Sequence, residues 1–110
     1  MESHENTLSI AEVFFETGQL CYRYARYLST DEAKWIRHGL FQSFHSNGQI
    51  ASEGTCEHGV EHGLWRDYHK TGQLAAEGRY DKGIETGVWR FWRQDGVEEP
   101  SEYHNPHKPG

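Results

Sequence analysis

The chain has 110 residues, of which 35% are hydrophobic and 14% aromatic, with a mean hydropathy of −0.92 and a formal net charge of −6. This is the length of one domain, with too little aliphatic content for a compact two-layer core, so a single packed face built from rings is expected. The acidic balance disfavours nucleic acid and anionic membrane surfaces, both of which call for a basic face.

Residues 1–10 read as a polar, flexible N-terminus, and residues 11–96 as a run of β-hairpins. The first hairpin, 11–27, has strands near 11–16 and 19–27 around Thr17-Gly18, which sets Glu12 opposite Arg23 and Ala11 opposite Tyr24. An insertion follows at 28–38. Ser29 and Glu32 have capping-box spacing, so the segment reads either as one helical turn, with Trp35 and Ile36 folded over the sheet end, or as a long hairpin loop.

From Gly39 the sequence copies itself. GLFQSFHSNGQIASEGTCEHGVEH (39–62) aligns with GLWRDYHKTGQLAAEGRYDKGIET (63–86), and GVWRFWRQDG (87–96) starts a third copy at the same 24-residue step. A short exact period signals a repeat array and not an enzyme pocket. Each unit reads as a hairpin closed by a two-residue, positive-φ turn at Asn47-Gly48, Thr71-Gly72 or Asp95-Gly96. That turn pairs Trp65 with Gly78, Arg66 with Glu77, Phe41 with Gly54 and Gln42 with Glu53. A ring opposite a glycine covers the gap that the missing side chain leaves. Strands are expected near 40–46, 49–57, 64–70, 73–81 and 88–94, about seven in all with the first hairpin. Residues 97–110, with Pro100, Pro106 and Pro109, read as a flexible C-terminal tail.

Alternation places Tyr22, Tyr24, Phe41, Cys56, Trp65, Tyr80, Trp89 and Phe91 on a core side. Phe14, Phe44, Tyr68 and Trp92 fall on the other face among Gln42, Glu53, Arg66, Glu77 and Arg90. Two readings explain those four rings. A β-bulge before each would turn it inward, or the rings form a stripe that meets a partner. At ~150–250 Å² per ring, four supply ~600–1,000 Å², against ~800 Å² for one side of an ordinary interface. The tips opposite the Asn-Gly turns carry Val60 and Ile84 beside Glu61 and Glu85, a second contact line. His38 with His62 and His45 with His69 are repeat equivalents, so polar surface and turn positions account for them. His58 and His62 are the first pair to test for zinc, yet a four-residue gap across a turn does not bring two imidazoles together. No metal or cofactor site is assigned. Cys21 and Cys56 read as reduced, partly buried thiols. Nucleophile elbows and phosphate loops are lacking, so no catalytic residue is assigned.

The pattern G-x-W-x-x-Φ-x-x-x-G-Q-Φ-A-x-E-G-x-Φ-x-x-G resembles the bacterial variant of the MORN repeat, whose members are grouped as YwqK-type, antitoxin-like proteins. The likeness covers 39–96 closely and 11–27 more weakly. Members often carry Lys where this chain has Val60 and Ile84. The resemblance implies an all-β, elongated single-layer antiparallel meander without catalytic residues. The expected function is protein binding, as an antitoxin or immunity-type neutraliser that masks a basic toxin or effector. Phe44, Tyr68, Trp92, Glu53, Glu77, Val60, Ile84, Glu61 and Glu85 are its candidate contacts. A self-associating scaffold joined through sheet edges is the alternative, and lipid recognition a weaker one. Met1–Asn6 has neither the basic start nor the apolar core of a signal peptide, so a cytoplasmic location is expected.

Overall fold

The structure, a computed structural model, describes residues 8–31 and 33–105. They form one antiparallel sheet in meander order: β1 (Ser9–Phe14), β2 (Leu20–Leu28), β3 (Trp35–Phe44), β4 (Ile50–Glu57), β5 (Val60–Glu61), β6 (Gly63–Tyr68), β7 (Leu74–Asp81), β8 (Ile84–Trp92) and β9 (Glu98–His104). There is no helix among the described residues. The sheet is a single layer, measuring 54 × 44 × 21 Å along its principal axes.

Nine strands stand where about seven were expected, for two reasons. The strand after the first tip is interrupted at His62, which separates the two-residue β5 from β6. The segment read as a flexible tail supplies β9, paired with β8 from Gly87–His104 to Trp92–Glu98. Pro100 is tolerated there because an edge strand leaves one row of N–H positions facing solvent. The 28–38 insertion is a strand connection. Leu28 pairs with Trp35 and Tyr27 with Ile36, so these two residues extend β3 and do not fold over the sheet. The Ser29 N–H donates to the Lys34 carbonyl at 2.8 Å and the Ala33 N–H to the Ser29 carbonyl at 2.9 Å. The expected cap pair ends on Glu32, which lies outside the described residues.

The expected registers hold: Trp65–Gly78, Arg66–Glu77, Phe41–Gly54, Gln42–Glu53, Glu12–Arg23 and Ala11–Tyr24. The turns that produce them differ from expectation. At all four sites one amide crosses back three residues (Gly18, Gly48, Gly72 and Gly96 to Phe15, His45, His69 and Arg93), and only the glycine has positive φ. This is a type I turn followed by a left-handed glycine, a three-residue loop. Thr17, Asn47, Thr71 and Asp95 each accept a hydrogen bond from the amide two residues on. Thr is as suitable there as Asn because its own φ stays negative. A second bulge, at Cys21, Ala51 and Ala75, then shifts the pairing by one and restores the expected register. The two-residue turns with positive φ at both residues occur at the opposite end, at His58-Gly59 and Lys82-Gly83.

Trp65 and Trp89 are the most buried rings, 8% and 5% exposed, with Cys56 beside them and Phe41, Tyr80 and Phe91 packed around. Trp65 is in register with Gly78, yet its indole lies over Gly54 of the preceding hairpin. A Cβ on Gly54 would be 2.2 Å from the Trp65 ring, and one on Gly78 would be 2.0 Å from Trp89. The indole N–H of Trp65 donates to the Thr55 carbonyl at 2.8 Å, and that of Trp89 to the Arg79 carbonyl at 3.2 Å. Each Trp therefore fastens its hairpin to the one before. Rings continue across the same face, with centroids 6.0 Å apart for Tyr22–Phe41, 5.6 Å for Phe41–Trp65, 5.9 Å for Trp65–Tyr80 and 5.2 Å for Tyr80–Trp89.

Candidate binding surface

The face opposite these rings repeats with the sequence. Along β3, β6 and β8, alternation brings Leu40, Gln42 and Phe44, then Leu64, Arg66 and Tyr68, then Val88, Arg90 and Trp92 to one side. The column Leu40–Leu64–Val88 escaped the sequence reading, although the 24-residue step picks it out. Leu40 is 47% exposed and Val88 56%. Two shallow depressions lie on this face. One is lined by Leu40, Glu53, Gly54, Thr55, Leu64 and Arg66; the other by Leu64, Glu77, Gly78, Arg79, Val88 and Arg90, together with Thr86 and Gly87. Each position of the first has its equivalent 24 positions on in the second, with Arg79 for Thr55 and Val88 for Leu64 as the two changes of residue. The glycines that receive an indole on the ring face thus floor a hollow on the other.

The rings of the proposed stripe are held at the strand ends. Phe14 is 54% exposed, and Phe44, Tyr68 and Trp92 are half-buried. A bulge does stand beside each of Phe14, Phe44 and Tyr68, but its extra residue belongs to the facing strand. The Arg90 guanidinium sits 5.0 Å from the Trp92 ring, within cation–π range. His45 Nε2 is 2.8 Å from the Tyr68 carbonyl and His69 Nε2 is 2.7 Å from the Trp92 carbonyl. A carbonyl only accepts, so both imidazoles carry hydrogen on Nε2. Read from sequence as surface and turn positions, these histidines pin the backbone of the next unit's ring.

The acidic candidates divide by face. Glu53 pairs across the sheet with Gln42 and Arg66. Glu77 receives the Arg66 Nε hydrogen at 2.7 Å and stands opposite Arg90. Both are engaged within the sheet. Glu61 is opposite Cys56 and Glu85 opposite Tyr80. Burial pushes the Cys56 thiol up, Glu61 adds to this and Arg37 opposes it. Burial likewise raises the Tyr80 hydroxyl, with Glu85 and then Glu61 contributing. Glu85 is 3.4 Å from His104 Nε2.

At the tips, Val60 packs over Gly83, 3.3 Å from where its Cβ would stand, and Ile36 covers Gly59 in the same way at 3.8 Å. Ile84 ends this line, 56% exposed. Ile36 is the member that the sequence reading left out, because it lies in the insertion. His58 and His62 are held separately. The His58 amide donates to His38 Nδ1 at 3.0 Å, and the Lys82 amide to His62 Nδ1 at 3.2 Å. Among the described residues no group of three His, Cys, Asp or Glu side chains could hold a metal ion. Both cysteines are free thiols, Cys56 buried and Cys21 half-buried.

An open meander whose strands, locks and hollows recur every 24 residues defines a tandem β-hairpin repeat module. The family model for the MORN repeat variant matches residues 37–55 and 61–82, so the middle of this sheet is similar to MORN repeats. No curated protein and no solved structure matches the chain.

Proposed function

We propose that the chain is a non-enzymatic protein-binding module that works by masking a partner, in the manner of an antitoxin or immunity protein of the YwqK type. The observation that carries this reading is the periodic face: the column Phe44–Tyr68–Trp92, pinned at Tyr68 and Trp92, next to exposed Leu40 and Val88 and two equivalent hollows. Rings held at the backbone lose little freedom on binding, which favours contact surfaces. The net charge of −6 suits a basic toxin or effector, and charge complementarity speeds encounter. Two free thiols fit a reducing cytoplasm.

The experiment is the double substitution Tyr68→Ala/Trp92→Ala, assayed by calorimetry against the product of the neighbouring gene. The expected outcome is a folded sheet with affinity at least about tenfold weaker, as for loss of interface hot spots. Unchanged affinity in a folded double variant rejects the stripe. Light scattering separates this from a self-associating scaffold, which predicts a stable homo-oligomer without a partner. Against edge-to-edge association stand Glu98, Glu99, Pro100 and Glu102 on β9, groups that discourage strand addition. Lipid recognition is the weaker third reading, checked by liposome co-sedimentation at low salt.

A further inference from the structure

We propose that Arg26 and Arg37, on the ring face and away from the stripe, form a two-guanidinium site for a carboxylate brought by another molecule, an acidic side chain of a protein partner. The two arginines are direct cross-strand partners on β2 and β3. Like charges placed opposite each other repel, so such a pair needs a reason. The same register position is Cys56–Glu61 one hairpin on and Tyr80–Glu85 in the next. The array thus sets an acid against a neutral residue twice, and two cations against each other once.

Three further observations point to a ligand. The Arg26 guanidinium carbon is 3.8 Å from the centre of the Trp35 ring, and that of Arg37 is 5.1 Å from Tyr24 and 5.2 Å from Phe41. A ring against a guanidinium restrains it and leaves N–H groups to serve an acceptor. Arg26 Nε is shielded from solvent and has no hydrogen-bond partner. Among the described residues Arg23, Arg66, Arg90 and Arg93 each hold a carboxylate, whereas Arg26 and Arg37, like the isolated Arg79, form no ion pair. A surface depression lined by Lys34, Trp35, Arg37 and His58 lies beside Arg37 and leaves room for an incoming group. A carboxylate has two acceptor oxygens in one plane, the geometry that joins two guanidinium edges.

The test reads the arginine side-chain Nε–Hε resonances by NMR while a blocked Glu-Glu dipeptide is added at constant ionic strength. Saturable shifts at Arg26 and Arg37 are expected. Arg37→Gln, at an exposed position, should weaken the response at least about tenfold, as removal of charge-assisted hydrogen bonds does. Arg79→Gln should leave it unchanged. Any of four results overturns the proposal: no shift at Arg26, an equal shift with the Gln-Gln dipeptide, equal weakening by Arg79→Gln, or tighter binding of inorganic phosphate. Movement of both resonances on concentrating the protein alone would assign the carboxylate to a second copy and overturn the partner assignment. No partner protein is needed for this readout, so it fails or stands apart from the masking function.

Discussion

At the scale of single residues, Gly54 and Gly78 couple the two faces of the sheet. Neither is chosen for positive φ; each is small because an indole occupies the place of its Cβ. Gly78→Ala should therefore destabilise by about 1–3 kcal/mol or more, the range for forcing atoms into a filled site. Gly18→Ala meets open space and should cost only its left-handed backbone, about 1–2 kcal/mol. Urea denaturation of the two variants gives the comparison. If Gly78→Ala proved the milder, the indole would not be closely seated. The partners of both glycines across the hairpin were readable in the sequence from the turn positions. Which ring covers them was not, because an indole leans according to the strand on its other side, and one hairpin considered alone has no such neighbour.

At the scale of elements, the hairpins from β3 onward are fastened one to the next by the indole, by the tip aliphatic and by a histidine. The histidine bond to a neighbour's carbonyl is worth about 0.5–1.5 kcal/mol net. His69→Ala should lose roughly that amount and raise amide exchange in β8 and β9, with β1 and β2 unaffected. Uniform exchange changes across the sheet would contradict a local fastening. The histidine pairing was present in the sequence as a 24-residue recurrence, but its acceptors are backbone atoms, to which side-chain patterns are blind. β9 was missed for a related reason. Proline and glutamate suggest disorder when counted, and only the pairing with β8 shows that an edge accommodates them. That edge has a pH signature. The Arg90 guanidinium holds the Glu98 carboxyl below its ordinary range. A lowered native value means stability that is full above the unfolded carboxylate's range and lost as pH falls through the native one. The stability gap between wild type and Glu98→Gln should close on acidification and shrink in salt, since the pair is exposed. A gap independent of pH would show that the ion pair does not hold β9.

For the molecule as a whole, the array carries its own ends. Ala11 occupies the position of Trp65 and Trp89 in the first hairpin, so no indole reaches outward from β1. Glu102 stands opposite Trp89, where Gly78 stands opposite Trp65, so β9 offers no seat for a further indole. Sedimentation should accordingly give a monomer; a ladder of oligomers would show that these substitutions do not cap. Within the caps the units are interchangeable. Deleting 63–86 joins His62 to Gly87 with every repeat position preserved, placing Trp89 over Gly54 and His45 against the Trp92 carbonyl. The shortened chain should fold, with a lower denaturant slope in proportion to the surface removed. Because every fastening joins a hairpin only to its neighbour, tension applied at the two termini meets no long-range tie. Pulled in an optical trap, the sheet should come apart in discrete rips of about 80 Å of contour, one 24-residue unit at a time. Its mechanical strength would be that of its weakest seam, whatever its total number of hairpins.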